Sequence, residues 1–367
     1  MLHYEGLHGV GKLLIREELV LIRPVYHRIL FAIVLLSFTV VPRVNAQEPK
    51  PVAPQIELTP TANGVKIARA NESFSTLSLK GSDLLAEAPL FGSREVTPQF
   101  VRELLQVKWR PNDPLDLYVI LPVGVKNPPV VLYLYSYPSD TDRFKDNRFC
   151  ERVTQSGTAA VGFVSALTGH RYGHRPMREW FISELPESLV TTVHDVQMIL
   201  NYLETRGDLD TTRVGMFGQG SGGSIAVLAA STDSRLKALD LLNPWADWPD
   251  WLAKSPLVAK EAQASFLKPE FLTAVEPLDP LRFLPALNSA SVRVQIVDGE
   301  VDATKESTEK ILASAPATAK TAHYPNGRAM YAVSSGGRLF EWLPSVLKLP
   351  TETKQVVAKT PPAIPAP

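Results

Sequence analysis

The sequence has almost no cysteine: Cys150 is the single one among 367 residues. A lone thiol excludes an intrachain disulfide, so a fold of this size relies on its core. Cys150 itself reads as a small buried hydrophobe rather than a catalytic thiol. Charge of one sign is also missing. The 38 Lys and Arg balance the 38 Asp and Glu, which removes any case for nucleic-acid binding by bulk charge. No repeat recurs at a fixed period, and no lipobox cysteine marks a lipoprotein. The apolar run from Ile29 to Val41 is too short to span a bilayer comfortably as a helix.

That run has a purpose of its own. Arg23 and Arg28 flank its start, and Val44-Asn45-Ala46 supplies small residues where a signal peptidase cuts. The expectation is an exported protein, periplasmic or secreted, cleaved after Ala46. The alternative is an uncleaved membrane anchor at residues 29–41. The stretch before the run is long for a signal, so a translation start downstream of Met1 is also expected. Residues 47–99 read as an N-terminal extension, and 349–367, rich in Pro, Ala and Thr, as a disordered tail.

Residues 100–348 carry the folded domain. "FVRELLQVKWR" and "LDLYVILP" read as paired strands joined by the turn Pro111-Asn112-Asp113-Pro114. "NPPVVLYLYSYP" is a nearly continuous β-branched and aromatic run, as in a strand buried on both faces. "TAAVGFVSA", "RVGMFG", "LKALDLLNP", "VRVQIVDGE" and "ATAKTAHYP" are further strands. Helices are expected near 144–156, over "ESLVTTVHDVQMILNYLETRGDLD", and in the closing "GGRLFEWLPSVLK". Strands alternating with helices predict an α/β fold: a mostly parallel sheet covered by helices on both faces.

The stretch "RVGMFGQGSGGSIAVLAAS" (213–231) runs from strand through glycine-rich turn into small-residue helix, the setting of the G-x-S-x-G nucleophile elbow. With "DVQMILNYLETRGDLDTT" before it, it resembles the dienelactone-hydrolase-like, acetylxylan-esterase-like and prolyl-oligopeptidase-like members of the α/β-hydrolase superfamily. "VRVQIVDGEVDATKESTEKI" is similar to the strand and loop that present the catalytic acid, with Asp302 in the acid's place. "AHYPNGRAMYAVS" resembles the final loop that carries the histidine.

The resemblance implies an α/β-hydrolase fold and a serine esterase or peptidase lineage, with a triad in the order nucleophile, acid, histidine. Matched position by position, the triad is incomplete. The nucleophile position is Gly220, between the outer glycines Gly218 and Gly222, and the histidine position falls at Arg328 and Ala329. Hydrolysis by this machinery needs a hydroxyl, an imidazole base and an acid that orients it. The expectation is therefore a catalytically degenerate protein that acts by binding. The alternative is an active carboxylic-ester hydrolase using Ser221, one residue along, with Asp302. His323, on the last strand, is then a weak candidate base, and Asp302 has its own plain reading as a helix-capping aspartate.

Other features carry their own readings. His170 and His174 in "GHRYGHRP" are candidates to line a pocket for an anionic group; Gly173 and Pro176 argue against a helical metal site, and no metal is expected. Trp245, Trp248 and Trp251 recur at three-residue spacing, either as the floor of a sugar or peptide pocket or as core. Gly218, Gly220 and Gly223 also spell G-x-G-x-x-G, with Asp240 as a ribose acid, which gives a second alternative, a dinucleotide-binding protein. The preferred reading needs no cofactor. Its partner is a small molecule, peptide or sugar in the cleft, with a membrane involved only if the N-terminal segment stays uncleaved.

Overall fold

The computed structural model describes residues 72–86, 88–110, 113–139, 141–168, 184–300 and 303–348. Nine strands form one sheet among them: β1 (Leu90–Val96), β2 (Phe100–Arg110), β3 (Asp113–Pro122), β4 (Pro129–Leu134), β5 (Ala159–Gly162), β6 (Asp210–Gln219), β7 (Leu236–Leu242), β8 (Ser291–Val297) and β9 (Lys320–Tyr324). The order across the sheet is β1-β2-β3-β5-β4-β6-β7-β8-β9. The first three strands form an antiparallel meander, and β3 joins β5 antiparallel. From β5 through β4 to β9 every pairing is parallel. The sheet thus takes its first strand from within the 47–99 stretch.

The helices are α1 (Asn147–Thr154), α2 (Leu185–Thr205), α3 (Ser221–Thr232), α4 (Trp248–Lys254), α5 (Lys260–Phe266), α6 (Pro269–Val275), α7 (Lys305–Ser314), α8 (Gly327–Ser335) and α9 (Trp342–Leu347). They cover both faces of the sheet, and the central strand shows why its sequence is apolar throughout. Alternate residues of β4 point to opposite faces. Val130, Leu132 and Leu134 join a core with Leu189 and Val193 of α2 and Ile225 of α3. Val131 and Tyr133 join a second core with Phe149 of α1, Phe217 of β6 and Leu343 of α9. A strand with helices on both sides has no polar face to offer.

The two sheet edges are different. β9 is largely exposed and carries Lys320 and His323, and β1 is exposed along nearly its whole length. Charged and polar edge residues discourage further strand pairing. Cys150 is buried as expected, with its thiol donating to the Phe144 carbonyl at 3.2 Å.

Residues 72–79 are tied to α2 by a buried ionic cluster. Glu72 receives hydrogen bonds from Arg110 at 2.6 Å to each carboxylate oxygen, and it meets His194 Nδ1 at 2.7 Å. His194 Nε2 faces the Thr76 carbonyl at 2.9 Å, and Arg110 also bridges to Asp195. No described helix is long and apolar enough to cross a membrane. The segment 29–41, the cleavage site at Ala46 and the tail 349–367 lie outside the described residues.

Candidate functional site

In a parallel sheet of this kind, ligands sit beyond the carboxyl ends of the strands. Three loops meet there: residues after β4, the turn from β6 into α3, and the segment after β7. The β6–α3 turn is centred on Gly220, whose φ of +54° is in the region that favours glycine. Its carbonyl accepts from the Trp245 N–H at 3.2 Å, and its N–H donates to Leu242 at 2.9 Å, so β7 and the following segment clamp it. Its glycine neighbours permit close packing of α3 on the sheet. A Cβ on Gly218 would lie 2.6 Å from the Gly222 carbonyl carbon, and one on Gly222 would lie 2.7 Å from that of Leu134.

The space above Gly220 is occupied. A Cβ there would lie 2.7 Å from the Ser136 Cβ, still nearer its hydroxyl, and 3.1 Å from Trp245 Nε1. The Ser136 hydroxyl is buried with no hydrogen-bond partner among the described residues. Ser221, one residue on, is fully buried, and its Oγ accepts a hydrogen bond from the Tyr137 N–H at 2.9 Å. Neither Ser136 nor Tyr137 is distinguishable in the sequence from the rest of the strand end "YLYSYP".

The final loop places no imidazole beside the elbow among the described residues. Asn326 caps α8, its side chain accepting from the Ala329 N–H at 3.0 Å, and Arg328 and Ala329 form the first turn. His323 is on β9 as expected. Its Nε2 is 2.8 Å from Asp298 Oδ1, and both side chains are more than half exposed. Asp302, His170 and His174 lie outside the described residues.

Two sequence readings are corrected here. Trp245, Trp248 and Trp251 do not floor an open pocket: all three are buried and cover one another. Trp245 and Trp251 lie 4.5 Å apart by ring centroids, and Trp248 meets Trp251 edge-on at 5.8 Å. Their faces are spent on core packing. Asp240 is likewise committed. It accepts from Arg293 Nε at 2.9 Å and Nη2 at 2.5 Å and from Gln295 at 2.8 Å, almost wholly buried, so no edge remains for a ribose. The dinucleotide reading falls with it.

A pocket of about 230 Å³ opens beside the elbow, between the end of β4, α1 and α8. Phe149, Phe217, Leu242 and Phe340 form its apolar floor, and Gln219, which precedes Gly220, is on its wall. No group of acidic, histidine or cysteine side chains among the described residues has the makings of a metal site.

No protein-family model matches the sequence, and no curated protein matches it significantly. Solved structures do match. Acetyl xylan esterase 1 from a Thermoanaerobacterium species aligns with a TM-score of 0.53 at 13% identity, covering 74% of this chain and 95% of that one. An acetyl xylan esterase from a Paenibacillus species aligns at 0.52 and 12% identity over 70% of this chain and 88% of that one. An acylaminoacyl peptidase from Pyrococcus horikoshii aligns at 0.52 and 15% identity over 68% of this chain and 40% of that one. The chain has the α/β-hydrolase fold.

Proposed function

We propose that this chain descends from serine esterases or peptidases, has lost their chemistry, and acts by binding a small molecule at the old active-site cleft. One observation carries the reading. The residue on the strained β6–α3 turn, where the fold family presents its nucleophile, is Gly220, and the Ser136 and Trp245 side chains fill the space a nucleophile would need. Loss of a serine nucleophile costs about a million-fold in turnover. The position matched to the base carries Ala329, and Arg328 beside it is permanently charged. The fold alone decides nothing about turnover, which belongs to the site.

The competing reading, hydrolysis through Ser221, has to overcome its burial. The Tyr137 N–H is in the loop after the strand that supplies one oxyanion-hole donor in such proteins. In this chain it donates to the Ser221 hydroxyl instead. A substrate carbonyl reaching Ser221 would meet a donor already engaged by the attacking oxygen.

Export belongs to the same proposal. The charged, apolar and small-residue order of residues 23–46 supports a signal removed after Ala46, which would place the domain in the periplasm or outside the cell. The N-terminal residue of the mature protein, read by mass spectrometry, tests it: Gln47 is expected, and an intact residue 29–41 segment would mean an anchor.

The test of the central proposal is fluorophosphonate labelling of the chain beginning at Gln47, read by intact mass and peptide mapping. No adduct is expected on the folded protein. A stoichiometric adduct on Ser221, abolished by Ser221→Ala, would establish a working nucleophile and overturn the binding-only reading.

A further inference from the structure

The pocket beside the elbow contains two guanidinium groups that no carboxylate among the described residues neutralises. Arg143 and Arg152 both line it, and neither forms an ion pair among the described residues. Arg102, Arg110, Arg206, Arg213, Arg235 and Arg293 each hold an acidic partner.

Arg152 is on α1, partly buried, and its Nε is sealed from solvent with no hydrogen-bond partner. A buried charged donor left unpaired is destabilising, so it persists where a ligand or other benefit offsets it. Arg143 is exposed, its guanidinium 4.2 Å from the centroid of the Tyr135 ring, whose face attracts the charge. No Asp or Glu is among the described residues of the lining. Beside the phenylalanine floor, Met330 and Tyr331 add apolar surface to the lining, and Gln219, Ser334 and Ser335 add polar groups.

We infer that this pocket binds a small monocarboxylate whose anionic head pairs with Arg152 and Arg143 and whose flat apolar body lies on the phenylalanine floor. The planar guanidinium fork matches the two oxygens of a carboxylate. The volume, about 230 Å³, equals the liquid share of about eight waters, which limits the ligand to a single ring or a short branched chain. An inorganic phosphate would satisfy the arginines but leave the aromatic floor unused. The inference deepens the binding role proposed above and rests on it, since a carboxylate held beside an active elbow would be product rather than the protein's own ligand.

The probe is sodium benzoate, titrated calorimetrically into the chain from Gln47 at constant ionic strength, with benzamide and inorganic phosphate as parallel arms. Saturable one-to-one binding of benzoate is expected, with benzamide at least tenfold weaker. Arg143→Gln, an exposed position, should keep the fold and weaken benzoate at least fivefold. Arg152→Gln should weaken it tenfold or more, with folding checked by tryptophan fluorescence. Absence of benzoate binding, benzamide binding equal to benzoate, or indifference to Arg143→Gln would each overturn the inference. Phosphate binding tighter than benzoate would overturn its carboxylate specificity. The labelling experiment fails independently: an adduct on Ser221 with benzoate bound sinks the loss of catalysis, and no adduct without benzoate binding sinks only the ligand class.

Discussion

The side chain of Ser136, just past the end of β4, stands in the volume that any side chain on Gly220 would enter; the two Cβ atoms would be 2.7 Å apart. Gly220 brings no side chain to the elbow, and Ser136 occupies the space above it.

A serine introduced at 220 should accordingly do harm. Gly220→Ser is expected to destabilise the domain by about 1–3 kcal/mol through overpacking, with further strain from the positive φ. Pairing it with Ser136→Gly should recover about 1 kcal/mol or more, beyond what additivity of the two single changes allows. A double-mutant cycle from urea unfolding measures this. Strict additivity would mean that the two sites do not compete for one space.

Ser221→Ala removes the acceptor of the Tyr137 N–H, a bond of 2.9 Å in a buried setting. The expected loss is about 1 kcal/mol, with an unchanged dependence of unfolding on denaturant. A Ser221→Ala protein as stable as the parent would show the hydroxyl free of this structural duty.

Glu72 sets part of the acid sensitivity. Burial alone raises its carboxyl, but hydrogen bonds from His194 and Arg110, with their charges, outweigh it and hold the group below its ordinary value. Folded Glu72 keeps its charge to lower pH than unfolded Glu72 does. Its contribution is fully present above the unfolded carboxyl value, about 4.3, and is lost as pH falls through the depressed folded value. Glu72→Gln should cost stability at neutral pH and flatten the acid-side loss. Urea midpoints of both proteins from about pH 7 to about pH 3 give the comparison. Parallel curves would deny Glu72 this role.

Cys150 should behave as a reporter of opening. Burial pushes its thiol up, and Arg102 beside it draws it down only in part. A disulfide reagent at neutral pH is expected to leave the native protein unmodified over hours and to react at once in denaturant. Rapid native modification would show that α1 opens locally and would undercut the pocket it helps wall.

Much of this was legible in the chain. The apolar runs of β4 and β6, with Gly218 and Gly222 spaced for close packing of α3, fixed a buried parallel sheet and a sharp strand-to-helix turn. Local chemistry sufficed there, because periodicity and side-chain size act on neighbours in sequence. The same locality placed His323 on a strand and left Gly220 without a nucleophile's side chain.

What covers Gly220 is a different matter, because its neighbours come from two segments distant in sequence. Ser136 arrives from β4, Trp245 from the segment after β7, and only the sheet order brings them together. The tryptophan spacing looks the same for a ligand floor as for core, and burial decides for core because the rings pack against one another. The pairing of Arg143 and Arg152 is decided the same way. Charge in sequence says nothing of neutralisation, and only the folding of residues 142–154 over the sheet brings two guanidinium groups to one pocket whose described lining holds no carboxylate.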